Sequence, residues 1–180
     1  MAHPERVCIA HPFNPPHLVP LVEIVGGKKT QHQYIDAAQS FFEQLGKKPI
    51  VIRKEVPGHI ANRLQAALMR EILYLMKNDV ASIKDIDSAL SDGPGLRYAC
   101  MGQNTLFHLG GGERGAEGFA EHILPPLLKW ISPEDPDFNE SMKEKWIQEI
   151  KEATNNESIQ SLAAKRDKLL VDIIKMKYTE

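Results

Sequence analysis

From His11 to Glu23 the chain reads HPFNPPHLVPLVE, an imidazole and a carboxylate separated by an Asn-Pro-Pro turn. An uncharged imidazole accepts an alcohol proton near neutral pH. A carboxylate on its other nitrogen fixes the tautomer and stabilises the imidazolium as it forms. Such a pair is a general base with its orienter. Asn14, three residues after His11, either caps the loop or donates to a substrate oxygen. A histidine before a proline also serves as a plain loop residue, and a lone strand glutamate commonly faces water, so the sequence leaves both uses of the pair open. Asn62 falls in the first turns of a helical pattern, where an asparagine is unfavourable unless its amide has a specific partner.

The elements that position these residues follow from periodicity. Val7 to Ala10 and Leu18 to Val25 are β-prone runs with a Pro-rich loop between them, so His11 stands where the first strand gives way to its loop and Glu23 lies inside the second. If the strands are neighbours, the two side chains should approach to within about 3.5 Å. Ile35, Ala38, Phe41, Phe42 and Leu45 predict an amphipathic helix from Gln31 to Leu45, closed by Gly46, and Pro49 to Arg53 predicts a third strand. Strand signals stop at Val56-Pro57-Gly58. Ile60, Leu64, Leu68, Ile72 and Leu75, widened by Ala66, Met69, Leu73 and Met76, predict a helix over about residues 59 to 78, buried on much of its circumference. Ser82-Ile-Lys-Asp85 resembles a capping box and opens a short helix through Leu90, which Asp92-Gly-Pro-Gly95 should end. Two later helices are marked by Met142, Trp146 and Ile150, and by Ile159, Leu162, Leu169, Leu170, Ile173 and Ile174.

Composition narrows the possible functions. With 42% hydrophobic and 26% charged residues the chain is an ordinary globular one, and a net charge of −2 gives no electrostatic case for nucleic acid or an anionic membrane. Its 180 residues make one domain, or a small domain plus part of another. Cys8 and Cys100 are too few for a disulfide framework or a thiolate zinc site, so a reducing cytoplasm is the expectation. No apolar run approaches a membrane span, and MAHPERVC lacks the apolar core of a signal peptide, so neither a membrane nor export is expected.

Other motifs carry less. Histidines at positions 3, 11, 17, 32, 59, 108 and 122 show no helical ligand spacing, so no metal is expected. GGGERG, Gly110 to Gly115, follows no clear strand and lacks the order of a phosphate or dinucleotide loop, which leaves it as a flexible turn between helices. Arg97, in GPGLRY, is either a surface charge or a residue of a constrained loop.

Three segments in order, HPFNPPHLVPLVE, GKKPIVIRKEVPGHIANRLQ (Gly46 to Gln65) and IDSALSDGPGLRYACMG (Ile86 to Gly102), resemble the 3-hydroxyacyl-CoA dehydrogenase family. The resemblance is nearest to its branch with lambda-crystallin, an L-gulonate 3-dehydrogenase, and L-carnitine dehydrogenase. It covers residues from about 5 to 131 well and the rest loosely. It implies an α+β fragment. Residues 1–55 would be the incomplete tail of a Rossmann NAD-binding domain and 56–180 an all-helical domain for substrate and dimer contact. The resemblance makes His11 the base, Glu23 its carboxylate partner and Asn62 the amide that helps hold the substrate oxygen. It makes Arg97 an anchor for the carboxylate of a free 3-hydroxy acid, with an acyl-CoA ester the other candidate substrate. The family's serine upstream of the histidine has no counterpart, the first serine being Ser40. With no G-x-G-x-x-G loop or acidic ribose ligand, the chain is expected to begin within the last third of the nucleotide-binding domain. Its cofactor residues are therefore unknown. NAD is expected for the full-length enzyme, without tight binding by this chain, which alone would be inactive or persist as a non-catalytic helical module. A homodimer is the expected way to cover the apolar helix and the open sheet.

Overall fold

The computed structural model describes residues 1–133, 135–136 and 138–178. They form two compact units, one of residues 1–67 with 167–171 and one from Leu68 to Arg166 and from Asp172 on.

The first unit is built on a three-stranded sheet. After a 3-10 turn at Pro4–Arg6 come strand β1, Cys8–Pro12, strand β2, Leu21–Gly26, helix α1, His32–Gln44, and strand β3, Lys48–Ile52. The order is β1-β2-β3, with β1 antiparallel and β3 parallel to β2. A parallel pair needs a long crossover, and α1 supplies it. Because β2 is the middle strand, Val22, Glu23, Ile24 and Val25 are all buried. Each of the three apolar side chains contributes roughly 1.5–3 kcal/mol by leaving water. The last residue of the strand is Gly26, where a Cβ would stand 2.8 Å from Ile35 Cδ1 of α1. The strand begins at Leu21 and not Leu18, since Pro20 has no N–H for the ladder. Lys47 holds the intervening loop by donating from Nζ to the carbonyls of Pro16 and Val19.

Helix α2, Ala61–Lys77, is shorter than predicted at its start, because His59 has a φ of +51° and cannot be helical. Its burial also differs from the expectation. Only Leu73 and Met76 are buried, and Leu64 and Leu68 are exposed.

In the second unit Leu73, Met76 and Ile83 form a core with Met69, Met142, Trp146, Ile150 and Ala153 against it. Helix α3, Ile83–Leu90, starts as the Ser-x-x-Asp pattern predicts, with Ser82 Oγ accepting from the Asp85 N–H at 3.2 Å. Asp85 is one methylene short of the usual glutamate, and its carboxylate accepts from the Ser82 hydroxyl at 2.6 Å. Asp92-Gly-Pro-Gly95 does not end the helical path. Residues Ser91–Gly95 form a wide turn that absorbs Pro94 and passes into helix α4, Leu96–Cys100. Gly93, with no Cβ, takes the non-helical backbone that this needs (φ −102°, ψ −112°).

Helix α5, Gln103–Gly110, and helix α6, Gly115–His122, flank a 3-10 turn at Gly112–Arg114. The glycine-rich run is a packing device here. A Cβ on Gly111 would lie 1.6 Å from the Gly115 oxygen, and Phe107 stacks on Phe119 at 4.2 Å. Three helices follow: α7, Leu124–Leu127, α8, Glu140–Ala153, and α9, Ile159–Tyr178. Glu149 of α8 accepts the Ile83 N–H at 3.0 Å, which satisfies a free donor at the start of α3. No helix among the described residues is long and apolar enough to cross a membrane.

Candidate active site

His11 and Glu23 stand directly opposite each other in the β1–β2 ladder. Side chains of such a pair point to the same face of the sheet, so register alone brings them together. His11 Nδ1 lies 3.0 Å from Glu23 Oε2. A carboxylate only accepts, so Nδ1 donates, and in the uncharged ring the lone pair is then on Nε2. The His11 side chain keeps 32% of its surface exposed while that of Glu23 keeps none.

The second oxygen of Glu23 is occupied as well. Oε1 accepts the N–H of Ile60 at 2.8 Å and of Ala61 at 3.0 Å. These are unpaired donors at the start of α2, where the helix dipole also favours a negative charge. Glu23 thus caps a helix with one oxygen and orients His11 with the other. Burial would push its pKa up, but the Ala61 N–H, His11 and the Ile60 N–H outweigh burial and hold it below the ordinary carboxylate value.

Asn62 is at the second position of α2, exposed and without a side-chain hydrogen bond among the described residues. The amides that a capping side chain would serve at this helix start, those of Ile60 and Ala61, are already met by Glu23. Asn14 is exposed in the β1–β2 loop just before Pro15, and its side chain has no partner among the described residues. Arg97 belongs to the other compact unit, on α4, with its guanidinium exposed and unpaired among the described residues.

His59 has no role in the sequence reading beyond its place among scattered histidines. Its ring centre is 5.1 Å from that of His11, with the planes tilted by 42°. A Gly-His pair before a helix carries no general signal for this placement, nor does any motif announce that backbone amides will bind Glu23. Among the described residues no cluster of three or more His, Cys, Asp or Glu side chains could hold a metal.

The strand–glycine–helix turn after β2 closes on itself. The Gly27 N–H donates to Thr30 Oγ1 at 2.8 Å, and the Thr30 hydroxyl donates to the Val7 carbonyl.

A short Rossmann-like sheet end followed by a helical region is the architecture that carries this pair. Residues 1–56 match the 3-hydroxyacyl-CoA dehydrogenase NAD binding domain and residues 58–145 its C-terminal domain. The chain belongs to the 3-hydroxyacyl-CoA dehydrogenase family. It is 43% identical over 173 residues to an L-carnitine dehydrogenase of Oceanobacillus iheyensis, covering 96% of this chain and 56% of that protein. An L-carnitine dehydrogenase of Streptomyces griseus is 41% identical over 175 residues, covering 97% of this chain and 52% of that protein. The chain therefore spans about half the length of the curated relatives it matches. A solved 5-formyl-3-hydroxy-2-methylpyridine 4-carboxylic acid 5-dehydrogenase, described as an NAD+-dependent dismutase, superposes with a TM-score of 0.81 at 26% identity, over all of this chain and 59% of that one.

Proposed function

We propose that this chain is part of an NAD-dependent 3-hydroxy acid dehydrogenase that oxidises a secondary 3-hydroxyl to a ketone. Residues 1–55 serve as the tail of the nucleotide-binding domain and residues 56–180 as the helical domain for substrate and dimer contact. The observation that carries the reading is the bond between His11 and a fully buried Glu23 whose other oxygen is fixed by two backbone amides. A base held this way keeps its free nitrogen in one direction and needs little reorganisation when it becomes charged.

In the reaction His11 Nε2 takes the hydroxyl proton of the substrate, and the ring becomes an imidazolium whose charge faces the Glu23 carboxylate. NAD, when bound, supplies the hydride acceptor. Asn62 donates to the substrate oxygen, and Asn14 lines the loop beside His11. Arg97 holds a free carboxylate, for which a planar guanidinium gives a two-point contact that a thioester lacks. The names of the L-carnitine dehydrogenase relatives support a small free hydroxy acid over an acyl-CoA ester.

The test is turnover by the protein carrying a complete nucleotide-binding domain, with NAD+ and either L-carnitine or 3-hydroxybutyryl-CoA. NADH formation with L-carnitine, abolished by His11→Gln, is the expected result. Formation with the CoA ester alone moves the substrate to the acyl-CoA class. No NADH from either, by a folded protein, contradicts the proposal.

A further inference from the structure

His59 is held in place more firmly than a loop residue needs to be. Its φ of +51° lies in the left-handed region that favours glycine, and Gly58 before it also has a positive φ. The turn is fixed on both sides. The His59 N–H donates to the Val56 carbonyl at 3.1 Å, and the next two amides donate to Glu23 Oε1. The same turn that orients Glu23 therefore aims the His59 ring at His11. Strained backbone so tightly determined by its surroundings clusters at sites of function.

The ring itself is half satisfied. Nδ1 is buried and has no hydrogen-bond partner among the described residues, whereas the residue as a whole is partly exposed. With no acceptor for a proton on Nδ1, the uncharged ring carries its proton on Nε2, the end that solvent or a ligand reaches. A histidine kept for structure would bond through its buried nitrogen. His59 instead leaves that nitrogen bare and presents a donor at the mouth of the site.

We propose that His59 is a second substrate-contacting imidazole, donating from Nε2–H to the substrate oxygen whose proton passes to His11. A hydrogen bond reaches roughly 2.7–3.2 Å from each nitrogen, so two rings whose centres lie 5.1 Å apart can serve one oxygen. The bond steadies the hydroxyl while His11 removes its proton. In the reverse direction it polarises the ketone together with the protonated His11. The inference rests on the reading of His11 as the base.

The test uses 15N-labelled histidine in the protein carrying a complete nucleotide-binding domain, with L-carnitine as the probe and NAD+ present. The expected spectrum places the His59 proton on Nε2, and the probe shifts the ring signals of His11 and His59 together. His59→Phe, which keeps the ring volume, should weaken L-carnitine binding about five- to tenfold. His59→Gln, which keeps a donor near the Nε2 position under the same backbone strain, should recover most of that loss. A proton on Nδ1, equal binding by His59→Phe, or equal losses in both variants would overturn the proposal. A probe that moves His11 but not His59 defeats the proposal and leaves the base standing, whereas one that moves neither ring counts against both.

Discussion

Glu23 holds His11 at 3.0 Å with one oxygen and the first amides of α2 with the other, so a single buried carboxylate ties the candidate base to the start of a helix. The geometry of the candidate site and local stability are thereby linked in one residue, and changes to Glu23 should register in both.

The first prediction is acid sensitivity. The folded pKa of Glu23 lies below its ordinary value of 4.5, so the residue stabilises the fold only when ionised. That contribution is complete above the ordinary value and is lost as pH falls through the lower folded one. Urea midpoints should therefore drop below about pH 4.5 more steeply in the parent than in Glu23→Gln. Parallel pH profiles would show that the carboxylate adds nothing. Glu23→Ala, which strands two amides and the imidazole, should cost about 3–5 kcal/mol at neutral pH.

Gly111→Ala tests the glycine-rich segment as packing. Its new Cβ would meet the Gly115 oxygen at 1.6 Å, so α5 and α6 must separate. We expect a loss of about 3 kcal/mol or more by urea unfolding, against under 1 kcal/mol for alanine at the open position of Gly102. Equal, small losses at both sites would mean that the segment is a flexible turn after all.

Arg97→Met tests the carboxylate anchor. In the protein with a complete nucleotide-binding domain, kcat/KM for L-carnitine should fall by about 10–100-fold, the worth of one charged hydrogen-bond pair. Activity on 3-hydroxybutyryl-CoA, if any, should stay within about twofold. An unchanged kcat/KM for the free acid removes Arg97 from the site.

Self-association follows from what the sheet and α2 leave uncovered: Ile9 on β1, Ile50 and Val51 on β3, and Leu64 and Leu68 on α2. We expect a homodimer at tens of micromolar by sedimentation velocity, weakened by Leu64→Lys with Leu68→Lys. A monomer at that concentration contradicts the expectation.

Much of this was legible in the sequence because it depends on local rules. Turn residues and periodicity place β1, β2, α1, β3 and α3 within a few residues and mark α8 and α9 by their apolar positions, and the pairing of His11 with Glu23 follows from two strands joined by a Pro-rich loop. What escaped depends on long-range packing. That Glu23 is fully buried follows from β2 being a middle strand, which no pattern around residue 23 reveals. The continuation of α3 through Pro94 depends on the backbone freedom of Gly93, and the role of Gly111 on how closely two helices approach. His59 enters the site through the shape of one turn, far from any motif in sequence.

The account turns on which nitrogen of His11 is free, and 15N resonances of the His11 ring measure this directly in the parent and in Glu23→Gln. With the carboxylate in place, the proton should sit on Nδ1 and the lone pair on Nε2. In Glu23→Gln the new amide keeps its oxygen on the Ile60 and Ala61 N–H groups and offers N–H to Nδ1. The ring proton then moves to Nε2 and the base is disabled, lowering kcat by about 10³–10⁴-fold, as a wrong tautomer does in other histidine-based sites. A parent ring carrying its proton on Nε2, or a tautomer unmoved by Glu23→Gln, would contradict the assignment of His11 as a base oriented by Glu23.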